Sequence, residues 1–271
     1  MEKFNRWVAK HVWPVYIVST VVLLLTVCVL MGIWGGVADV FLYLALLVGI
    51  FLCARFAFSR GSVLLKKPMA ALMHQCDPYP YLQETQEQQN YPGNSNLKLV
   101  RITNLAFALQ EVGEYDKAWE LLRNVPTEVA VGAHSLHQMI YCGMMFFMLA
   151  RQEQMQEAQR WHQKLLECYG KIKSEKLKKR LDGILKSHWA SYHVAMQEYP
   201  EALQIANGIQ QKSLRDRVVC AFSLAKIACM QGEKETAVKH LQFVIENGNK
   251  LYAVTEAKAL LEKIQAEESA V

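Results

Sequence analysis

Histidines and cysteines are the side chains of this sequence best suited to chemistry, and one short segment holds a cluster of them. His134 and His137 are three residues apart, which places both rings on one face of a helix, and Cys142 follows five residues later. Such spacing can bind a metal, but no Asp or Glu lies nearby to complete a ligand shell. His188 and His193 are five residues apart, so we expect their rings to face different directions. The pattern predicts no metal site.

The sequence also lacks the motifs of common enzymes. It has no Gly-rich phosphate loop, no nucleophile elbow, no HExxH and no carboxylate pair that stands apart from ordinary helix surface. We therefore expect no catalytic residues and no cofactor. An enzyme is the alternative only if acid and base groups converge from distant parts of the chain, which a single sequence does not reveal.

The cysteines do not form a disulfide framework. They are seven in number and include no CxxC pair. Two of them, Cys28 and Cys53, lie in strongly apolar segments. The others stand singly at Cys76, Cys142, Cys168, Cys220 and Cys229. We expect these thiols to act as small buried hydrophobic groups within helices.

A basic run at residues 171–180 is the second candidate site. It contains one acid and six cations, namely Lys171, Lys173, Lys176, Lys178, Lys179 and Arg180. A buried stripe is expected on the other side of the same segment, formed by Ile172, Leu177, Leu181 and Leu185. The basic face is either a solvated helix surface or a contact for anionic lipid or an acidic protein. Near an anionic membrane each such cation contributes about 1 kcal/mol.

The charge of the chain is unevenly distributed. Residues 1–67 carry seven Lys or Arg and two acids, whereas the remaining residues carry 23 of each sign. The whole net charge of +5 therefore belongs to the N-terminal quarter. Because the rest of the chain is neutral, we expect no nucleic acid partner.

The N-terminal quarter reads as a membrane anchor over residues 1–60. No Asp, Glu, Lys or Arg occurs in the 28 residues between Lys10 and Asp39. About 20 apolar residues, at about 1.5 Å rise each, are enough to cross a hydrocarbon layer of about 30 Å. We predict transmembrane helices at about 12–33 and 38–58, joined by a turn near Gly32 to Gly36. One span followed by an interfacial helix is the alternative.

A secretory signal peptide is a further alternative for the first apolar run. Gly36-Val37-Ala38 resembles a small-residue cleavage site. However, the apolar cores of signal peptides are about 7–15 residues long, and this run is longer and is followed by a second one. The cations flank the hairpin on its two outer sides, so we expect both termini in the cytoplasm, at the plasma membrane if the organism is bacterial.

Residues 61–96 are predicted to connect the anchor to a soluble domain. A short surface helix is expected over Leu64–Cys76, starting around Lys66 to Pro68, and Asp77-Pro78-Tyr79-Pro80 should end it. Residues 83–96 are polar and contain Pro92-Gly93. We predict a linker there, with room for one or two polar helical turns.

Past Asn96 the apolar spacing becomes helical and a pattern recurs. Leu99, Ile102, Leu105, Ala106 and Leu109 follow the i, i+3, i+4, i+7 spacing of one helix face. A turn at Gly113 and a second helix come next, and similar segments surround Glu153, Gln197 and Gly232. Each copy has an alanine soon after the turn, at Ala118, Ala158, Ala202 and Ala237, spaced 40, 44 and 35 residues apart. Helical hairpins at such periods are typical of solenoids.

The first and last copies resemble the tetratricopeptide repeat (TPR) family. The matching positions are Leu105, Ala106, Gly113, Tyr115 and Ala118, and again Leu224, Ala225, Gly232 and Ala237. The two middle copies depart from the family by having Glu153 and Gln197 in place of the turn glycine. The resemblance implies an all-α fold in which about four degenerate TPR-like helical hairpins occupy residues 97–266 as an α-solenoid. The last helix, Leu251–Ala266, should cap the stack, and residues 267–271 should form a frayed tail. An unrelated helical bundle is the alternative.

The resemblance also implies which residues line a concave groove. They are Val100, Thr103, Phe107, Ile140, Gly143, Phe147, Ile184, Ser187, Ser191, Val219, Phe222 and Lys226. They do not reproduce the clamp by which some family members hold a C-terminal carboxylate. The first half is apolar and adjoins the run Met144 to Met148, whose thioethers adapt to varied surfaces. This run is either groove or core, and as a groove it favours an apolar helix or peptide as partner.

These observations together predict a scaffold or adaptor that holds a protein partner at the membrane. Residues 12–58 would contact the lipid bilayer, and the basic run would be available to anionic lipid. A structural subunit of a larger membrane complex, joined to it through its transmembrane helices, is the alternative.

Overall fold

The computed structural model describes residues 1–34 and 38–269, and within them every regular element is an α-helix. The N-terminal helices are α1 (Glu2–Lys10), α2 (Val12–Trp34), α3 (Ala38–Gln75) and α4 (Tyr79–Gln88). The remaining helices are α5 (Ser95–Glu111), α6 (Tyr115–Arg123), α7 (Thr127–Gly132), α8 (Ser135–Arg151), α9 (Met155–Gly170), α10 (Glu175–Ala195), α11 (Tyr199–Asn207), α12 (Leu214–Met230), α13 (Lys234–Asn247) and α14 (Tyr252–Ser269). The predicted all-α class is confirmed for these residues.

The chain divides into two compact units. The first comprises Met1–Lys67 and Glu87–Gly93, and the second comprises Pro68–Gln86 and Asn94–Val271. The expected boundary between an anchor, a linker and a soluble domain therefore does not follow the chain in order, because part of the expected linker belongs to each unit.

Two helices are long and apolar enough to cross a membrane, at Val12–Leu30 and Leu44–Gln75. The first lies in the first unit, and the second begins there and ends in residues assigned to the second unit. Their side chains are mostly exposed, unlike those of a core helix in a soluble protein. Helices α2 and α3 meet at Gly49, where an added Cβ would lie 2.5 Å from a methyl carbon of Leu23. A larger residue at Gly49 would therefore force the two helices apart.

Helix α3 differs from the prediction at its C-terminal end. The expected end at residue 58 and the expected separate helix over Leu64–Cys76 are not observed, because Ala38–Gln75 is one helix of 38 residues. Pro68 lies inside it. A proline removes one helical hydrogen bond but does not always end a helix. Part of the expected turn and cleavage site, residues 35–37, lies outside the described residues.

Helix α4 begins where a helix break was expected and reaches into residues 83–96, where the sequence predicts a linker with one or two polar helical turns. Helix α4 occupies Tyr79–Gln88, and Tyr81 in its first turn is completely buried. The ring of Tyr81 packs edge-on against Phe107, with 6.1 Å between the ring centres. The buried hydroxyl of Thr85 donates to the Tyr81 carbonyl at 2.9 Å. Helix α4 has no apolar stripe. It packs through the ring of Tyr81, and its buried Thr85 hydroxyl is hydrogen-bonded within the helix.

The second unit contains four pairs of packed helices, α5 with α6, α8 with α9, α10 with α11 and α12 with α13. Three residues separate the helices in every pair. The four alanines identified from the sequence all occupy the fourth position of the second helix, and all have 0% exposure: Ala118, Ala158, Ala202 and Ala237. A methyl side chain at this contact lets the paired helices approach closely.

All four turns have the same backbone geometry. The middle residue of each turn has a positive φ, which is 84° at Gly113, 61° at Glu153, 62° at Gln197 and 77° at Gly232. In each case the next N–H donates to the carbonyl five residues before it, as from Glu114 to Leu109 at 2.9 Å. This is the Schellman type of helix ending. The two copies without glycine therefore adopt the same turn, at the usual cost of a left-handed residue.

Helices α12 and α14 contact parts of the second unit that are distant in sequence. Helix α14 packs on α13, α12 and α5, and Arg151 of α8 binds Glu256 of α14 at 2.9 Å. Arg215 of α12 forms an ion pair with Glu111 of α5. Repeats in a simple solenoid contact only their neighbours, so these contacts are additional to that arrangement.

A helix is present where the capping helix was predicted, as α14, and it buries Val254, Ala257 and Ile264. The predicted frayed tail is not observed over its first residues, because α14 continues to Ser269. Residues 270–271 lie outside the described part of the chain.

The turn geometry predicts the effect of glycine at the two turns that lack it. We expect Glu153→Gly and Gln197→Gly each to raise the free energy of unfolding by about 1 kcal/mol, because glycine adopts a positive φ without a Cβ clash. The reverse change, Gly232→Ala, should lower it by a similar amount, since no atom lies within 4 Å of the added Cβ. Denaturant unfolding of the full chain in detergent micelles, followed by circular dichroism, measures all three. Unchanged stability in the two glycine variants would contradict the shared turn.

A second comparison tests the packing of α14. At Gly113 an added Cβ would lie 2.2 Å from a ring carbon of Tyr252. We therefore expect Gly113→Ala to destabilise the protein by at least about 2 kcal/mol more than Gly232→Ala, because backbone strain and overpacking add together. The same unfolding measurement gives this difference. Equal losses in the two variants would show that Tyr252 does not pack on this turn.

Candidate binding groove

Helices α8 and α10 of the second unit enclose an apolar groove of about 190 Å³. One wall is formed by Ile140, Gly143, Met144 and Phe147 of α8, and the other by Ile184, Leu185 and His188 of α10. Four residues that the TPR resemblance placed in a groove are therefore brought together here, namely Ile140, Gly143, Phe147 and Ile184.

The groove exposes two large apolar side chains. Phe147 is 39% exposed and Ile184 is 51% exposed, although both line a concave surface. Ile140, Gly143 and Phe147 follow helical spacing, so they form one stripe along α8. At Gly143 an added Cβ would lie 3.2 Å from Leu165 and 3.6 Å from Nδ1 of His188. The glycine therefore lets α9 and α10 pack close to α8.

The first group of predicted groove residues lies elsewhere. Thr103 is buried, and its hydroxyl donates to the Leu99 carbonyl at 2.9 Å. Phe107 is covered by Tyr81 and by the Arg215 guanidinium, which lies 4.7 Å from the ring centre. Val100, Thr103 and Phe107 are not among the groove residues.

The last predicted residues also lie outside the groove. Ser187 and Ser191 are exposed on α10, and their hydroxyls bind carbonyls of their own helix at 2.9 and 3.0 Å. Phe222 is buried, and Lys226 lies 4.3 Å from its ring centre and 4.0 Å from Glu256. Phe222 and Lys226 belong to the contact between α12 and α14.

The run from Met144 to Met148 supplies both core and groove. Met145, Phe146 and Met148 are buried, whereas Met144 and Phe147 line the groove. Successive residues of a helix point in different directions, so one run serves both purposes. The sequence left open whether this run is groove or core. Both interpretations are correct, each for different residues of the run.

A pair of histidines beneath the groove was missed by the sequence analysis. Nδ1 of His162 on α9 lies 2.9 Å from Nε2 of His188 on α10, and both residues are buried. The His188 ring also packs edge-on against Phe146, with 4.7 Å between ring centres. Burial lowers the pKa of His188 to about 4, with a further contribution from His162. His162 was not recognised because its partner lies on another helix.

The other histidines occupy separate environments. Nδ1 of His193 lies 2.6 Å from Glu198, and its ring stacks on Trp189, so His193 is not a member of the pair formed by His162 and His188. His134 is exposed at the start of α8, while burial lowers the pKa of His137. Among the described residues, no three His, Cys, Asp or Glu side chains are placed to hold one metal ion.

Three of the seven cysteines are buried. Cys76, Cys142 and Cys168 are buried as predicted, but Cys28 is exposed and the others are half-buried. Cys142 and Cys168 lie next to each other between α8 and α9, and burial raises the pKa of Cys142 to about 12. These thiols therefore pack as part of the core.

The basic run forms an exposed surface at the beginning of α10. Lys171, Lys173, Lys176, Lys179 and Arg180 are exposed. Lys178 is partly covered and pairs with Glu175 at 3.2 Å. The predicted apolar stripe is confirmed, because Ile172 and Leu181 are buried and Leu177 and Leu185 pack against the same cluster.

Comparison with protein-family models, with curated proteins and with solved structures finds no match for this chain. The TPR resemblance therefore rests on the residues quoted above, and the function has to be inferred from the groove and the charges around it.

The buried histidine pair predicts a specific pH dependence. Because the pKa of His188 is about 4 in the folded chain and about 6.5 when unfolded, its stabilising effect is complete above pH 6.5 and is lost as the pH falls toward 4. We expect the wild type to lose about 2 kcal/mol more than His188→Gln between neutral pH and pH 4. Glutamine keeps an amide near the Nε2 position but does not titrate. Denaturant unfolding at several pH values measures the difference.

Ser191, which is exposed on the same helix and does not titrate, provides the control for this comparison. Ser191→Asn should leave the pH profile of the wild type unchanged. If His188→Gln and the wild type lose stability in parallel, the buried pair is not responsible for acid sensitivity.

Proposed function

We propose that this protein is a membrane-anchored TPR-like scaffold or adaptor whose helical repeats face the cytoplasm and bind a protein or peptide partner. The observation that carries the proposal is the open apolar groove between α8 and α10, in which Phe147 and Ile184 are exposed. Large apolar side chains on a concave surface are typical of binding sites.

The repeat interpretation is supported by the four equivalent turns and the four buried alanines. The contacts of α12 with α5, and of α14 with α5 and α8, differ from a simple open solenoid. In our proposal, these contacts occupy the inner surface near Phe107 and Phe222, so the binding surface is limited to α8 and α10.

The anchor interpretation is supported by the exposure of α2 and α3. Ile17, Val18, Leu25 and Val29 of α2 are each more than a third exposed, and Leu47 and Phe51 of α3 are too. Exposing so many apolar side chains to water is unfavourable in free energy, whereas exposing them to lipid is not. The basic residues that precede α2 and lie along the second half of α3 favour cytoplasmic placement of both ends.

The size of the groove favours side chains of a partner over a cofactor. Sites for drug-sized ligands usually have about 300–1,000 Å³, whereas this groove has about 190 Å³. An engineered cavity of about 150 Å³ accepts one benzene molecule. The groove therefore has room for one or two apolar side chains, and we propose no enzymatic activity.

Site-specific crosslinking in intact membranes tests the proposal. A photoreactive amino acid in place of Ile184 in the full chain should capture a partner, and Phe147→Asp should reduce the yield at least about tenfold while helical content stays unchanged. Phe107→Asp should act differently. It should lower the free energy of unfolding by about 3 kcal/mol, because it places a carboxylate beneath Tyr81.

Two controls define the outcome that contradicts the proposal. The same photoreactive group at Val131, which is 71% exposed, should not capture the partner. Replacing residues 1–60 with an unrelated transmembrane hairpin should preserve capture at position 184. Capture that is lost in the hairpin exchange and unaffected by Phe147→Asp would instead favour a subunit held in a complex through its transmembrane helices.

A further inference from the structure

One exposed ridge of α10 connects the basic run to the groove. Lys176, Arg180 and Ile184 follow one another at intervals of four residues and are all exposed. Each interval is about one turn, so Arg180 lies about 6 Å along the helix axis from Ile184, and Lys176 lies about 6 Å further. A partner that reaches Ile184 from this end therefore passes the basic side chains.

The positive charge on this ridge is not neutralised within the second unit. Glu175 pairs with Lys178 at 3.2 Å, and Asp182 pairs with Lys186 at 3.0 Å. In the described part of the chain, Lys176, Lys179 and Arg180 form no ion pair of 4.0 Å or less. The first turns of α10 thus present a surplus of cations next to an apolar groove.

We infer that the groove binds an amphipathic helix that carries acidic residues at one end of its apolar stripe. The apolar side chains of this helix enter the groove beside Phe147 and Ile184, and its acidic end faces Lys176 and Arg180. This inference rests on the proposed function and specifies the chemistry of the partner. Charge complementarity at the rim of an interface steers association and sets orientation.

The shape of the groove favours a helix over an extended peptide. The stripe of α8 that lines the groove repeats at Ile140, Gly143 and Phe147, with the helical spacing that a second helix can match. Ile140 and Gly143 are half-buried, and Phe147 is exposed. Extended peptides usually bind to a sheet edge through backbone hydrogen bonds. The described residues contain no strand that offers such an edge. The groove therefore supplies apolar contacts along a line, which is the helix-in-groove mode.

Charge also gives the bound helix a direction. The other end of the α10 ridge carries Ser187 and Ser191, which are neutral and hydrogen-bonded within their own helix. Only the end near Lys176 attracts acids. An acidic residue at the opposite end would lose this contact.

Fluorescence anisotropy with synthetic peptides tests the inference on the full chain in nanodiscs of neutral lipid. The probe is a labelled helical peptide of about five turns with a leucine stripe and glutamates at one end. The comparison peptide has lysines in place of the glutamates. We expect the acidic peptide to bind at least about tenfold more tightly at low salt, and we expect this ratio to shrink as the salt concentration rises.

Variants of the ridge separate the two parts of the site. The double variant Lys176→Glu with Arg180→Glu should reverse the preference and favour the basic peptide. The double variant Lys239→Glu with Lys258→Glu changes the net charge equally on exposed positions of α13 and α14, and it should retain the preference. Ile184→Asp should weaken binding of the acidic peptide at least about tenfold, whereas Val131→Asp should not.

Three results would overturn the inference. The first is equal binding of the two peptides, and the second is binding that survives Ile184→Asp. The third is capture of vesicles of anionic lipid that depends on Lys176 and Arg180 but not on Ile184, without discrimination between the peptides, because the basic surface would then be a lipid contact. If the peptides fail but crosslinking at position 184 still depends on Phe147, the proposed function stands and only the acidic helix is excluded.

Discussion

The close approach of paired helices is the constraint on which the second unit depends. Each pair is joined by only three residues, so its helices have no room to separate at the turn. A left-handed residue reverses the chain, and a fully buried alanine one turn later allows contact between the backbones. A larger side chain at the alanine would force the helices apart. The same requirement for a small side chain therefore recurs at all four positions.

The groove is a consequence of the same close packing. Gly143 removes the side chain that would otherwise separate α8 from α9 and α10, and His188 reaches the groove from below while paired with His162. One face of α8 then forms core through Phe146 and another forms groove through Phe147. A partner would bind to a surface whose rigidity comes from buried aromatic and histidine contacts directly beneath it.

The long-range contacts of α12 and α14 restrict where binding can occur. The pair of Arg215 with Glu111 brings opposite charges together where water is largely excluded, and such a pair is costly to break from one side. Tyr252 also fills the space beside Gly113. These contacts cover residues of α5 that an open repeat stack would expose, so Phe107 is half-buried against Tyr81 and Arg215 while Phe147 is exposed.

The sequence by itself determined the paired helices of the repeats, the four turns and the apolar N-terminal segments, because all of these depend on local spacing. The turn at Glu153 was predictable from its buried alanine even though glycine is missing. Only the tertiary structure decided that Tyr81 packs on Phe107, that His162 meets His188, and that Ile184 joins Phe147 in one groove. These contacts join residues from different helices, and their formation depends on how the helix pairs stack, which no local pattern specifies.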